Sequence, residues 1–242
     1  MNKKLLCPLL LFLMGILLNS AHAQSFEADR LSNYIDEYVK KYQLPGLSIA
    51  IVKSKDIIYN EAFGYADAEN KTPLSTQHLF NIASCSKAFT ATLMGQLVDK
   101  GLIDWNDKVR DYIPEFSLSD PCVSNKLNII DILSHRSGLA TFRGDLLWYE
   151  SNYSNKEILQ RMAAIPITNS FRAEYGYQNN MYMLAGEIQS RLTSKSWEEN
   201  IQENIFTPLG MKNSRTSFSK IKNNDPIAYP HLDGKTIEMY DW

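Results

Sequence analysis

Cysteine is scarce in this chain. Three occur in 242 residues, Cys7, Cys85 and Cys122, and Cys7 lies in an apolar N-terminal stretch that reads as a removable leader. The two that remain cannot build a disulfide framework. Histidine is as sparse, and His78, His135 and His231 lie too far apart for zinc-ligand spacing. There is no excess of positive charge: 25 Lys and Arg stand against 27 Asp and Glu, a formal charge of −2. No basic tail, run of like charge or aromatic-basic interleaving occurs, so nucleic acid is not an expected partner. Internal repeats and low-complexity linkers are absent too, and nothing in the sequence asks for a cofactor or a metal.

What is present begins with residues 1–23. Lys3 and Lys4 form a basic start, Leu5 to Leu18 an apolar stretch, and Ala21-His22-Ala23 an A-x-A cleavage site before Gln24. This is the pattern of a secretory signal peptide, too short in its apolar part for a comfortable membrane span. The rival reading is an uncleaved N-terminal anchor. Cleavage removes Lys3 and Lys4 and takes the formal charge from −2 to −4. It leaves no stable membrane span, and the expected location is periplasmic or secreted. Residues 24–242 are enough for one large domain or a small pair.

The apolar stripe Ala28, Leu31, Ile35, Tyr38, Val39 and Tyr42 predicts a helix over 28–42, broken by Pro45-Gly46. Leu47–Val52 and Ile57–Tyr59, around the polar Lys53-Ser54-Lys55-Asp56, read as a hairpin whose second strand runs to about Gly64. Asp67 to Thr76 is polar. After Ser84, Phe89, Leu93 and Leu97 mark a helix ending at Lys100-Gly101. Residues 102–116 look irregular. Asn128 can cap a short helix, 155–165 form another before Pro166, and Met181, Leu184, Ala185, Ile188 and Leu192 mark a further one. Ser196-Trp197-Glu198-Glu199 is a capping box for a helix that Pro208-Leu209-Gly210 ends. Strands and helices are segregated, an α+β pattern. A lone hairpin is not independently stable, so the sheet looks incomplete.

Two segments carry chemistry. Ser84-Cys85-Ser86-Lys87 reads Ser-x-x-Lys at a helix start, where residues three apart share a face. A lysine whose proton is loosened can activate the serine hydroxyl, and a helix N-terminus suits a developing oxyanion. Cys85 reads as a small buried thiol. The second segment is Glu174-Tyr175-Gly176-Tyr177-Gln178-Asn179-Asn180, holding Tyr-x-Asn just before a helix. Tyr177 could carry a proton, and the Asn179 amide could hold a substrate carbonyl or steady the lysine. Tyr175 is a neighbour that could be mistaken for Tyr177.

Together and in this order these segments resemble the serine β-lactamase-like family. That group holds class C β-lactamases, low-molecular-mass penicillin-binding proteins, D-stereospecific peptidases and related esterases. Phe63-Gly64-Tyr65-Ala66-Asp67, Phe80 to Thr90, Asp131-Ile132-Leu133-Ser134-His135-Arg136-Ser137-Gly138-Leu139 and Pro208-Leu209-Gly210-Met211 extend the likeness over roughly residues 30–231. The resemblance implies a β-lactamase/transpeptidase-like fold, an antiparallel sheet with a helical lobe. It implies an acyl-enzyme serine hydrolase acting, as a monomer, on a β-lactam, a D-amino-acid peptide or a small ester or amide. Ser84 would be the acylated nucleophile and Lys87 its activator. Tyr177 would shuttle a proton, and Asn179 would orient Lys87 and the substrate. The backbone N–H of Ser84 would form half of the oxyanion hole. The segment around His135 would be structural, with Asp131 and Arg136 as helix-end and turn residues. Trp148, Tyr149 and Tyr153 could line a substrate cleft, although aromatics are more often simply packed.

One departure stands out. The family's third motif, Lys-Thr-Gly or His-Thr-Gly on a strand beside the nucleophile, has no match: Lys235-Thr236-Ile237 places isoleucine where close backbone approach needs glycine. The expectation is a partial chain of a longer enzyme, lacking C-terminal strands. The alternative is a non-catalytic penicillin-binding or sensor domain, or an inactive truncated homologue.

Overall fold

The apolar stripe at the start of the chain becomes α1 (Ala28–Lys41), with Ile35 and Val39 on its buried side. The computed structural model describes residues 26–239, so the expected leader over 1–23 lies outside the described residues. Backbone contacts divide the chain into two compact units. One holds the residues up to Thr76 together with His231–Ile237, and the other runs Gln77–Pro230.

The first unit carries the strands. β1 (Gly46–Lys53) and β2 (Asp56–Asp67) are antiparallel, from Gly46 opposite Gly64 to Lys53 opposite Asp56, with an irregularity between Ile51 and Val52. Ile35 and Val39 of α1 pack with Tyr59 of β2, flanked by Leu31, Leu47, Ile49, Ile51 and Phe63. The predicted hairpin is therefore present, and α1 covers it and buries its apolar side.

Two further pieces of strand were not foreseen. β3 (Thr72–Pro73) adds to β2 inside the stretch read as merely polar. β4 (His231–Leu232) and β5 (Lys235–Thr236) pair across Asp233-Gly234. Both residues of that turn have positive φ, 51° and 77°, the backbone that Asp-Gly hairpin turns favour. Strands of two residues are too short to show alternation, so the turn dipeptide was the available signal. Thr236 donates its hydroxyl to Asp67 Oδ1 at 2.8 Å, and Ala68 N–H donates to His231 Nε2 at 2.9 Å. The Lys235-Thr236 pair thus serves to tie this unit together.

The second unit is helical. α2 (Ser86–Asp99) follows a 3-10 turn at Ala83–Cys85. α3 (Val109–Tyr112) lies in the region expected to be irregular; four residues cannot show a helical period, but Lys108 N–H donates to Asp111 Oδ2 at 3.0 Å and closes its cap. α4 (Pro121–Lys126) starts at Asp120, which accepts from Cys122 and Val123 N–H, with proline in the first turn. α5 (Ile129–Leu133) has the expected Asn128 cap, reciprocated by Asp131. α6 (Asn155–Arg161) gives way to a 3-10 turn before Pro166.

α7 (Asn179–Thr193) is the axis of this unit. Met181, Leu184, Ala185 and Ile188 are all fully buried in one core with Met94, Leu97, Ile129, Ile132 and Leu139. Burying each large apolar side chain contributes about 1.5–3 kcal/mol. Gln189 of α7 donates to the Thr90 carbonyl of α2 at 2.7 Å, which locks the two helices in register. α8 (Trp197–Ile201), capped by Ser196, runs into a π turn over Gln202–Phe206. Ile201, Ile205 and Phe206 pack with Leu93, and Trp197 Nε1 donates to Thr90 Oγ1 at 3.0 Å. The segregation of strands from helices is the expected α+β pattern. No helix among the described residues is long and apolar enough to cross a membrane.

Candidate active site

All four residues singled out in the sequence lie in the helical unit and meet. Ser84 sits in the 3-10 turn and Lys87 in the first turn of α2; Lys87 Nζ donates to Ser84 Oγ at 3.1 Å. Ala83, just before the serine, has φ 43°, a left-handed backbone that L side chains adopt at a cost. The Ala83 N–H donates to Asn81 Oδ1 at 2.9 Å and holds that turn.

The other two come from the start of α7. Asn179 Oδ1 accepts from Lys87 Nζ at 2.6 Å, a charge-assisted bond across 92 residues of sequence. Tyr177 Oη donates to Ser84 Oγ at 2.7 Å. The serine oxygen is therefore in reach of two proton carriers. Tyr175 is well exposed and stacks edge-on against His135 instead.

Tyr177 is held from several sides. Gly176 N–H donates to the His135 carbonyl at 2.8 Å, and Gln178 N–H donates to His135 Nδ1 at 3.0 Å. The His135 ring stacks on Tyr177 at 4.5 Å with 27° between planes. Phe142 N–H donates to the Tyr177 carbonyl, and Tyr177 N–H donates to Thr141 Oγ1. Glycine is required at 176: a Cβ there would lie 2.0 Å from the Leu139 carbonyl oxygen.

The electrostatics follow from this packing. Burial by itself would raise the Tyr177 phenol pKa, but the Lys87 ammonium and the Ser84 hydroxyl together carry it below the ordinary value. Burial first, and then the Lys87 charge, lower the His135 imidazole. With Nδ1 occupied by Gln178 N–H, His135 acts as a neutral wedge under Tyr177. The Lys87 ammonium also lies over the rings of Tyr177 at 4.7 Å and Tyr182 at 5.5 Å, the geometry of a cation–π contact.

Cys85 corrects an expectation: the thiol is exposed. It belongs to the 3-10 turn, three residues per turn, and so stands off the α2 face that packs in the core. The segment around His135 was expected to be structural, and its ring packs under Tyr177. One neighbour escaped the sequence reading. Asp145, which accepts from Asn179 Nδ2 at 2.8 Å, had no signal at all. Asp131 is fully buried between Arg136 and Arg172, at 2.7 and 2.8 Å, and Arg172 too was unmarked. Among the described residues no group of three or more His, Cys, Asp or Glu could hold a metal ion.

The family profile described as Beta-lactamase matches residues 31–236. This chain belongs to the beta-lactamase family. Among its curated relatives is penicillin-binding protein 4* of Bacillus subtilis, 32% identical over 211 residues, covering 83% of this chain and 45% of the relative. Protein flp of Staphylococcus aureus is 27–28% identical and covered to 42%. The chain spans less than half the length of these relatives. Among solved structures, the D-amino acid amidase of Ochrobactrum anthropi matches with a TM-score of 0.63 at 30% identity, over 74% of this chain and 49% of that one. The octameric penicillin-binding protein homologue of Pyrococcus abyssi matches with a TM-score of 0.67 at 23% identity, over 89% and 53%. The fold is of the β-lactamase/transpeptidase type.

Proposed function

We propose that this protein is a secreted or periplasmic serine hydrolase that works through an acyl-enzyme on Ser84. The observation that carries the reading is the Ser84 hydroxyl lying within hydrogen-bond reach of both Lys87 Nζ and Tyr177 Oη. In the reacting state one of these groups is deprotonated and takes the serine proton as Oγ attacks the substrate carbonyl. Tyr177, with its lowered pKa, passes a proton to the leaving group and then helps a water attack the acyl-enzyme. Asn179 keeps Lys87 in place. The backbone N–H of Ser84 stabilises the developing oxyanion.

The substrate class is a β-lactam, a D-amino-acid peptide or a small amide or ester. The relatives support it through a penicillin-binding protein and a D-amino acid amidase. Export is supported by the basic, apolar and A-x-A succession over residues 1–23. One copy holds all four groups, so the site needs no second copy to complete it.

The test is intact-mass spectrometry of the native-length protein after exposure to a fluorescent penicillin and to a serine-reactive phosphonate. One adduct on the Ser84 peptide is expected from each probe, and in a hydrolase the penicillin adduct decays with turnover while the phosphonate adduct stays. A penicillin adduct that never decays makes the protein a single-turnover sensor. Equal labelling of Ser84→Ala places the nucleophile elsewhere and ends the proposal.

A further inference from the structure

Asp145 heads a 3-10 turn, Asp145–Leu147, immediately after Gly144. Gly144 allows the loop to press close to α7: a Cβ there would lie 2.4 Å from Ile165 Cδ1 and 3.0 Å from Asn180 Nδ2. The approach places the Asp145 carboxylate at the entry of α7, where Oδ2 accepts from Asn179 Nδ2 at 2.8 Å. Its other oxygen, Oδ1, is buried and has no hydrogen-bond partner among the described groups. Burying a carboxylate that is only half satisfied is unfavourable.

We infer that Asp145 is a positioning residue for Lys87, acting through the side-chain amide of Asn179. This inference rests on reading Ser84 as the acylated nucleophile. An asparagine amide can sit either way round, with nitrogen and oxygen exchanged. A lysine ammonium only donates, and a carboxylate only accepts. Placed between them, Asn179 has one satisfactory orientation: nitrogen towards Asp145, oxygen towards Lys87. The observed bonds, 2.8 Å on one side and 2.6 Å on the other, are of that kind. The result is a directed chain from Asp145 through Asn179 and Lys87 to Ser84, whose last step is 3.1 Å. Without the carboxylate the amide loses the preference that keeps its oxygen on the lysine. A flipped amide would point N–H groups at the ammonium and push Lys87 off the serine.

The test is a double-mutant cycle in the native-length protein, using Asp145→Asn, Asn179→Leu and the pair together. The readout is the rate of Ser84 acylation by the phosphonate over a range of probe concentrations, with melting temperatures as a check on folding. Asp145→Asn keeps the shape but is no longer only an acceptor. It should slow maximal acylation about 10- to 100-fold, the scale of a small misplacement of a reacting group, with the half-saturating concentration unchanged. The double variant should be no slower than Asn179→Leu alone, because Asp145 has nothing left to orient. If Asp145→Asn does not fold, Asp145→Ser takes its place in the cycle. Losses that multiply, or a loss confined to the half-saturating concentration, overturn the inference while leaving the nucleophile in place. A parent protein that gives no Ser84 adduct overturns the acyl-enzyme reading, and this inference with it.

Discussion

Tyr177 Oη lies 2.7 Å from Ser84 Oγ, across 93 residues of chain. Ser84 is fixed by the turn leading into α2, and Tyr177 by the His135 wedge and the loop that precedes α7.

That contact makes Tyr177 and Tyr175 separable. Tyr177→Phe should reduce turnover by about 100- to 10,000-fold, the usual contribution of a positioned proton carrier, without lowering the melting temperature. Tyr175→Phe should stay within about twofold of the parent, as for an ordinary surface change. The Tyr177 phenol titrates below its ordinary value. Activity that uses its phenolate should therefore rise as pH rises through that lowered pKa, and Tyr177→Phe should abolish the rise. Steady-state rates against pH decide it: an unchanged profile in Tyr177→Phe assigns the proton transfer to another group.

The backbone contact under Tyr177 gives a second expectation. Gly176→Ala has to displace either the tyrosine loop or the backbone at Leu139, since its Cβ would fall 2.0 Å from Leu139 O. Acylation of Ser84 should slow by about 100-fold through misplacement of Tyr177, and the melting temperature should fall. Gly95 is the control. It lies inside α2, where an added Cβ meets only Trp105 at 4.0 Å, so Gly95→Ala should stabilise by about 0.5–1 kcal/mol. Equal behaviour of the two alanines in chemical denaturation would contradict both statements.

Asp131 is fully buried and takes charged hydrogen bonds from Arg136 and Arg172, as well as the Asn128 N–H at 3.0 Å. Both arginines are partly exposed, 35% and 42% by side chain, so water screens them once the carboxylate is gone. Asp131→Ala should cost about 3 kcal/mol, the lower end for breaking a buried ion pair. Urea denaturation of the variant measures this, and a loss under about 1 kcal/mol would reduce the cluster to an ordinary surface pair.

Asp67 sets an acid limit on the strand-bearing unit. Asn70, through its side chain and its N–H, and then Thr236 and Glu69, hold the Asp67 carboxyl down to about 2 from 3.8. A carboxyl with a lowered folded pKa contributes stability that is complete above its unfolded value and lost as pH falls through the folded one. The ties of Asp67 to Asn70 and Thr236 should therefore hold at pH 4 and be lost as pH falls to about 2. An NMR titration of Asp67 shows this directly. A midpoint near 4 would mean that the hydrogen bonds do not favour the charged form.

Local rules made much of this molecule readable in advance. The i, i+3 geometry of a helix start pairs Ser84 with Lys87. Caps at Asn128 and Ser196, the stripe on α1 and the β1–β2 alternation each depend on residues a few positions apart, so the α+β order follows from them. Tertiary packing decided the rest. α7 meets α2 because Met181, Leu184, Ala185 and Ile188 share a core with Met94 and Leu97, and that meeting, with the His135 wedge under Tyr177, brings Tyr177 and Asn179 to Ser84. Asp145, His135 and Arg172 gained their partners the same way, from a loop and a helix end with no periodic pattern. The exposure of Cys85 and the short strands β3, β4 and β5 likewise depend on what packs beside them. A hydrogen bond between residues about 90 apart is set by the whole core that aligns their helices, and no short stretch of sequence contains that alignment.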